Sequence, residues 1–214
     1  SGLSDKPPGP YTAQMLAADV IGLLDAFGER KAHIVGHSMG GFIAQAIAID
    51  YPERVDKLVL SATNFGGPRH VPITPQAMAV LTDVSGDPIE RLRRGIVVST
   101  APGFAEGNPQ LIEGWVAYRA QHPIDLVGYQ AQLAIGLGLL SEAASFEHKL
   151  GRVTAPTLIL FGEHDAVVPP GNAELLAARL PNARVEILPN AGHFFPFEVP
   201  DAANRAIIDF LLGS

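Results

Sequence analysis

The chain carries a serine set between glycines, Gly36-His37-Ser38-Met39-Gly40, with another glycine at 41. At this composition roughly 0.1 chance matches to Gly-x-Ser-x-Gly are expected, so the surroundings must decide what the pattern means. A serine hydroxyl attacks a carbonyl only when a general base takes its proton, and that base needs an acid to orient it. Both types follow downstream: Asp165 in Gly162-Glu163-His164-Asp165, and His193 in Asn190-Ala191-Gly192-His193-Phe194. In such a set Ser38 attacks, His193 accepts its proton and returns it to the leaving group, and Asp165 holds the imidazole tautomer.

Competitors exist for two of these roles. Glu163 is a rival for the acid, and His164 is adjacent to it. His37 precedes the serine, His33 lies in the run before it, and His70, His122 and His148 fall in the middle of the chain. These are read as surface or packing residues. An acid placed earlier would sit after Lys57–Thr63, but that position offers only Thr63 and Asn64.

The elements around these motifs follow from apolar periodicity. Residues 11–28 space Leu16, Ala17, Val20, Ile21, Leu24 and Phe27 as a helix, with Thr12 as N-cap and Gly28 as stop. Ala32-His33-Ile34-Val35 is a short strand leading into the serine, and Phe42 to Asp50 is a helix leading out. Lys57–Thr63 reads as a buried strand, which completes a strand–helix–strand unit of a parallel sheet. Such a turn strains its central residue, lifts the hydroxyl clear of the sheet and sets it beside the free amides of a helix N-terminus. Residues 66–148 lose the strand pattern and suggest helices near 75–83, 87–99, 108–121 and 123–140. Strand, helix and strand return at 156–162, 171–180 and 183–188, and 200–212 is an amphipathic helix. Both Asp165 and His193 thus fall just past strand carboxyl ends, the edge where open α/β sheets keep their functional groups. The fold class is α/β, with 1–65 and 149–214 as the core and 66–148 as a helical cap.

The 214 residues are enough for one domain, and 47% hydrophobic against 17% charged supports a full core. A net charge of −7 argues against a nucleic-acid partner. With no cysteine there is no thiol nucleophile, disulfide framework or thiolate metal site. No apolar run is long enough to span a bilayer, and Ser1 to Pro10 is turn-rich and unlike a signal peptide. A cytoplasmic location is expected.

Taken together, the three motifs resemble those of the α/β-hydrolase superfamily. Gly36-His37-Ser38-Met39-Gly40-Gly41 is similar to its nucleophile elbow. Gly162 to Pro169 is similar to its acid loop, and Gly192-His193-Phe194-Phe195-Pro196-Phe197-Glu198 to its histidine loop. Among its branches the chain most resembles small bacterial esterases, 3-oxoadipate enol-lactonase-like hydrolases and cofactor-free haloperoxidases. The resemblance implies an oxyanion amide at Met39. It also implies a truncated sheet: a segment like Gly2-x-Ser4-Asp5-Lys6-Pro7 follows the fourth strand in that family, so four strands and a loop carrying a second oxyanion amide would come earlier. Losing one such donor typically costs ~10²–10³ in rate. An open sheet edge then either pairs with the same edge of a second copy, giving a homo-oligomer, or is covered by a part of the protein that lies outside this sequence.

The expected activity is carboxylic-ester hydrolysis on small to medium acyl chains, through an acyl-enzyme and with no metal or organic cofactor. Lactone opening, perhydrolysis, acyl transfer and C–C hydrolysis share the same triad, and a weakly active scaffold that oligomerises is the non-enzymatic alternative. In the cap, Met78, Leu81, Phe104, Leu111, Trp115, Tyr118, Leu126, Leu133 and Leu137 offer apolar faces, and Arg69, Arg119 or Arg152 could bind one substrate carboxylate.

Overall fold

Four parallel strands in spatial order β1-β2-β3-β4 form the sheet: β1 Ala32–His37, β2 Val55–Ser61, β3 Thr157–Gly162 and β4 Ala183–Leu188. The computed structural model describes residues 4–83, 85–122 and 126–213, without the side chains of Leu126 and Tyr129. Ser1 to Leu3, the start of the expected 123–140 helix and the apolar side chain of Leu126 therefore lie outside the described residues.

Burial on both faces explains why β2 and β3 read as continuous apolar runs. On one face Leu58, Leu60, Ile159 and Phe161 pack with Ala17 and Ile21 of α1 (Ala13–Ala26), Ala44 and Ile47 of α2 (Met39–Asp50), and Ala173 and Leu176 of a later helix, Gly171–Ala177. On the other face Val59, Leu158 and Leu160 pack with Ala203, Ala206 and Phe210 of the C-terminal helix, Pro200–Leu212. The parallel register sets Val35 beside Val59 and Leu60 beside Ile159. β1 is hydrogen-bonded on one side only, to β2, among the described residues. Its Val35 is 50% exposed although its neighbour Val59 is fully buried, so the helix layer over β2 to β4 stops short of β1.

Between β2 and β3 run α3 (Pro75–Thr82), α4 (Pro88–Val98), α5 (Phe104–Gly107), α6 (Pro109–Gln121) and α7 (Leu126–Gly138), with no strand among the described residues. Local chemistry sets their starts. Thr74 caps α3 through its hydroxyl, and one oxygen of Asp87 accepts from Ile89 and Glu90 at the start of α4; each is followed by proline in the first helical turn. Ile96, Ile112 and Val116 form a small core of their own between α4 and α6, while Ile135 of α7 joins the main core. The elements after β3 are α8 (Gly171–Ala177), α9 (Phe195–Glu198) and α10 (Pro200–Leu212).

Two boundaries differ from the periodicity for identifiable reasons. Helix α2 starts at Met39 rather than Phe42, because Ser38 itself occupies the N-cap position. Strand β2 ends at Ser61 rather than Thr63, because Ala62 turns to φ 46°. The four-residue helices α5 and α9 are too short to show a period.

Candidate active site

Ser38 stands at the strand-to-helix turn with φ 53° and ψ −118°, a conformation unfavourable to a residue with a side chain. Its backbone amide donates to Ser61 O at 2.8 Å, which ties the turn to the end of β2. Glycine is required where the helix presses on the strand. A Cβ on Gly36 would collide with Gly40 O and Ala44, and one on Gly41 would collide with the Thr63 side chain. Gly40 itself faces open space.

His193 reaches this hydroxyl from the loop after β4. Its Nε2 lies 3.0 Å from Ser38 Oγ, and its Nδ1 lies 2.8 Å from Asp165 Oδ2. Asp165 is buried, and its other oxygen accepts from the amides of Val167 and Val168, both at 2.8 Å. Those amides fix which carboxylate edge faces the imidazole. Glu163, the rival acid, points elsewhere: it accepts from the Asn190 amide at 3.1 Å and lies 3.6 Å from His164. The Met39 amide is the first of helix α2, where backbone donors lack intrahelical acceptors, and it adjoins the serine. Thus Ser38, Asp165, His193 and Met39 come together at one end of the sheet.

Two neighbours gain their place from the structure: His37, which the sequence reads as a surface or packing residue, and Glu198. The His37 ring sits 5.0 Å from the His193 ring, edge-on to Phe195, with Nδ1 2.8 Å from Ser61 Oγ. Burial, aided by the His193 charge, lowers its pKa to about 4, so it is a neutral packing partner. Glu198, noticed only as part of the histidine-loop resemblance, acts as a clamp. Its carboxylate accepts from the amides of Ala101 at 2.6 Å and Gly192 at 3.1 Å, and so fastens the loop bearing His193 to the residues after α4. Gly192 is indispensable there, since a Cβ would press into the backbone of Ser99 to Ala101. Trp115 reinforces the same junction by stacking on Phe104 and meeting Phe194 and Phe197 edge-on.

A cleft of about 270 Å³ opens beside the serine, lined by Ser38, Met39, Phe42, Thr63, Asn64, Gln132, Leu133, Gly136 and Val168. Of the apolar residues expected in the cap, Leu133 lies in this lining, whereas Tyr118 and Leu137 face solvent. The arginines suggested for a substrate carboxylate are elsewhere. Arg69 is paired with Glu147 at 2.7 Å and Glu142 at 2.9 Å, and Arg119 and Arg152 are exposed and outside the cleft.

Comparison with known proteins agrees with this architecture. The 2-hydroxy-6-oxononadienedioate/2-hydroxy-6-oxononatrienedioate hydrolase 1 of Dechloromonas aromatica (strain RCB) is 33% identical over 205 residues, covering 93% of this chain and 68% of the relative. The chain spans about two thirds of the length of the curated relatives it matches. Among solved structures, the meta-cleavage product hydrolase CumD of Pseudomonas fluorescens IP01 superposes with a TM-score of 0.81 at 25% identity, covering 99% of this chain and 76% of that one. The enol-lactonase of Burkholderia xenovorans LB400 does so with a TM-score of 0.77 at 27% identity, again covering 99% and 76%. No helix among the described residues is long and apolar enough to cross a membrane. A model of the alpha/beta hydrolase fold matches residues 1–200, and the chain belongs to that family.

Proposed function

We propose that this chain is a serine hydrolase that cleaves carboxylic esters, lactones included, through an acyl-enzyme. Ser38 Oγ attacks the carbonyl carbon while its proton passes to His193 Nε2. The imidazolium so formed is stabilised by Asp165, and the developing oxyanion by the Met39 amide. His193 then protonates the leaving alkoxide. Water, deprotonated by the same nitrogen, attacks the acyl-enzyme and releases the acid and Ser38. The observation that carries this reading is the continuous chain of hydrogen-bond distances, 3.0 Å and 2.8 Å, from a strained serine through His193 to a buried aspartate.

C–C hydrolysis is a second reading, favoured by the names of the relatives at about one third identity. Its product carbanion or enol would be protonated where the alkoxide is protonated in the first. The residues 66–148 act in either case as a cap over the cleft, with 1–65 and 149–214 as the catalytic core. The one-sided pairing of β1 supports self-association of two copies through that edge, which light scattering would read as twice the chain mass.

The test of the catalytic reading is hydrolysis of p-nitrophenyl butyrate by the purified chain and by Ser38→Ala, both taken from the same size-exclusion peak. Turnover by the wild type that Ser38→Ala abolishes is expected. Equal rates would overturn the hydrolase reading and leave a scaffold that retains the fold without the activity.

A further inference from the structure

We propose that the cleft beside Ser38 selects an uncharged acyl group and rejects one that carries a carboxylate, a substrate class opposite to the dioates in the names of the relatives. The proposal rests on the acyl-transfer reading above and specifies what the acyl pocket accepts. The cleft wall is made of Met39, Phe42, Leu133, Gly136 and Val168, and its remaining side chains, Ser38, Thr63, Asn64 and Gln132, carry no formal charge. At about 270 Å³ it is near the lower limit of ordinary small-molecule sites, and an acyl chain seated in it lies against Met39, Phe42, Leu133 and Val168.

The cation best placed by sequence to meet a carboxylate is already committed. Arg69 follows Thr63 and Asn64 by a few residues, but its guanidinium contacts both Glu147 and Glu142. Glu147 is buried, and it also engages Arg179, which lies over the Phe65 ring at 4.6 Å. Freeing Arg69 for a substrate would leave a buried carboxylate short of one partner. The Arg69–Glu147–Arg179 cluster therefore braces the loop after β2 against the segment that follows α8. It does not serve as an anion site. The net charge of −7 adds a field unfavourable to anions at longer range.

Three methyl esters of one chain length separate charge from polarity: methyl hexanoate, the methyl ester of adipamic acid, and monomethyl adipate, which is anionic at pH 7.5. Released methanol is followed by NMR. A carboxylate with no cation in an apolar pocket is expected to lower kcat/KM about 100-fold relative to the neutral amide. The amide itself should remain within about tenfold of methyl hexanoate, because it loses only a partly compensated hydration shell. Leu133→Arg, at the mouth of the cleft, should raise the adipate rate relative to the hexanoate rate about tenfold or more, through one new ion pair. Monomethyl adipate turned over as fast as the amide by wild-type protein would overturn the proposal and leave the hydrolase reading intact. Absence of any Ser38-dependent turnover of all three would overturn the hydrolase reading, and this proposal with it.

Discussion

Replacing Glu198 by alanine removes the one acceptor, among the described residues, of two buried backbone amides, those of Ala101 and Gly192, at 2.6 and 3.1 Å. A buried donor left unsatisfied costs about 1–3 kcal/mol, so the two amides together cost about 2–6 kcal/mol. Part is returned, because burial already penalises the carboxylate and raises its pKa above the ordinary carboxyl range. The expected net loss is about 2–4 kcal/mol out of the roughly 5–15 typical of a domain, so the variant should fold with a lowered urea midpoint. The sharper effect falls on catalysis. Gly192 precedes His193, and the clamp fixes the loop that holds Nε2 at 3.0 Å from Ser38 Oγ. A displacement near 1 Å at a reacting pair costs about 100-fold, so kcat on p-nitrophenyl butyrate should fall by that order with KM little changed. Glu198→Gln keeps one acceptor oxygen and should recover most of the stability and part of kcat. Linkage gives a separate signature. A carboxyl raised on folding contributes stability below its unfolded pKa and loses it as pH rises through the folded one. Wild-type protein should therefore gain stability over Glu198→Gln as pH is lowered from neutral toward the ordinary carboxyl value, with no further gain below it. A folded Glu198→Ala protein with wild-type kcat would refute the clamp, as would a kcat loss that disappears once temperature is lowered enough to restore full folding.

Asp165→Asn should reduce kcat by about 10³–10⁴, because the amides of Val167 and Val168 claim the remaining carboxamide oxygen and turn the NH₂ toward His193 Nδ1, imposing the wrong tautomer. Steady-state kinetics beside the melting curve would check it, and a loss under tenfold would remove Asp165 from the mechanism. His37, lowered from 6.5 to about 4, contributes stability that is complete above pH 6.5 and vanishes as pH falls through 4, worth about 3 kcal/mol. Urea midpoints measured across that window should slope in the wild type and flatten in His37→Asn, and an unchanged slope would place the acid sensitivity elsewhere.

The meeting of Ser38, His193 and Asp165 was legible because each sits within a few residues of a strand end, where local pattern carries the information. Ser38 is preceded by β1 and followed at once by α2. Asp165 and His193 follow β3 and β4 by a few residues, so a correct strand assignment places all three at one end of the sheet. The neighbours that hold them in register were not legible, because their partners are distant in the chain. Glu198 reads as an ordinary acidic residue until Ala101, 97 positions away, is found against it. Arg69 reads as a free cation until Glu147, 78 positions on, is found to hold it. Sequence periodicity describes which face of an element is buried, and it is silent on which polar groups meet once those faces close. Arg69 stands among three candidate arginines in the sequence for that reason: a surface arginine and one locked against a buried carboxylate have the same local pattern. Only the geometry separates them, and that separation turns a candidate anion site into an argument for an uncharged substrate.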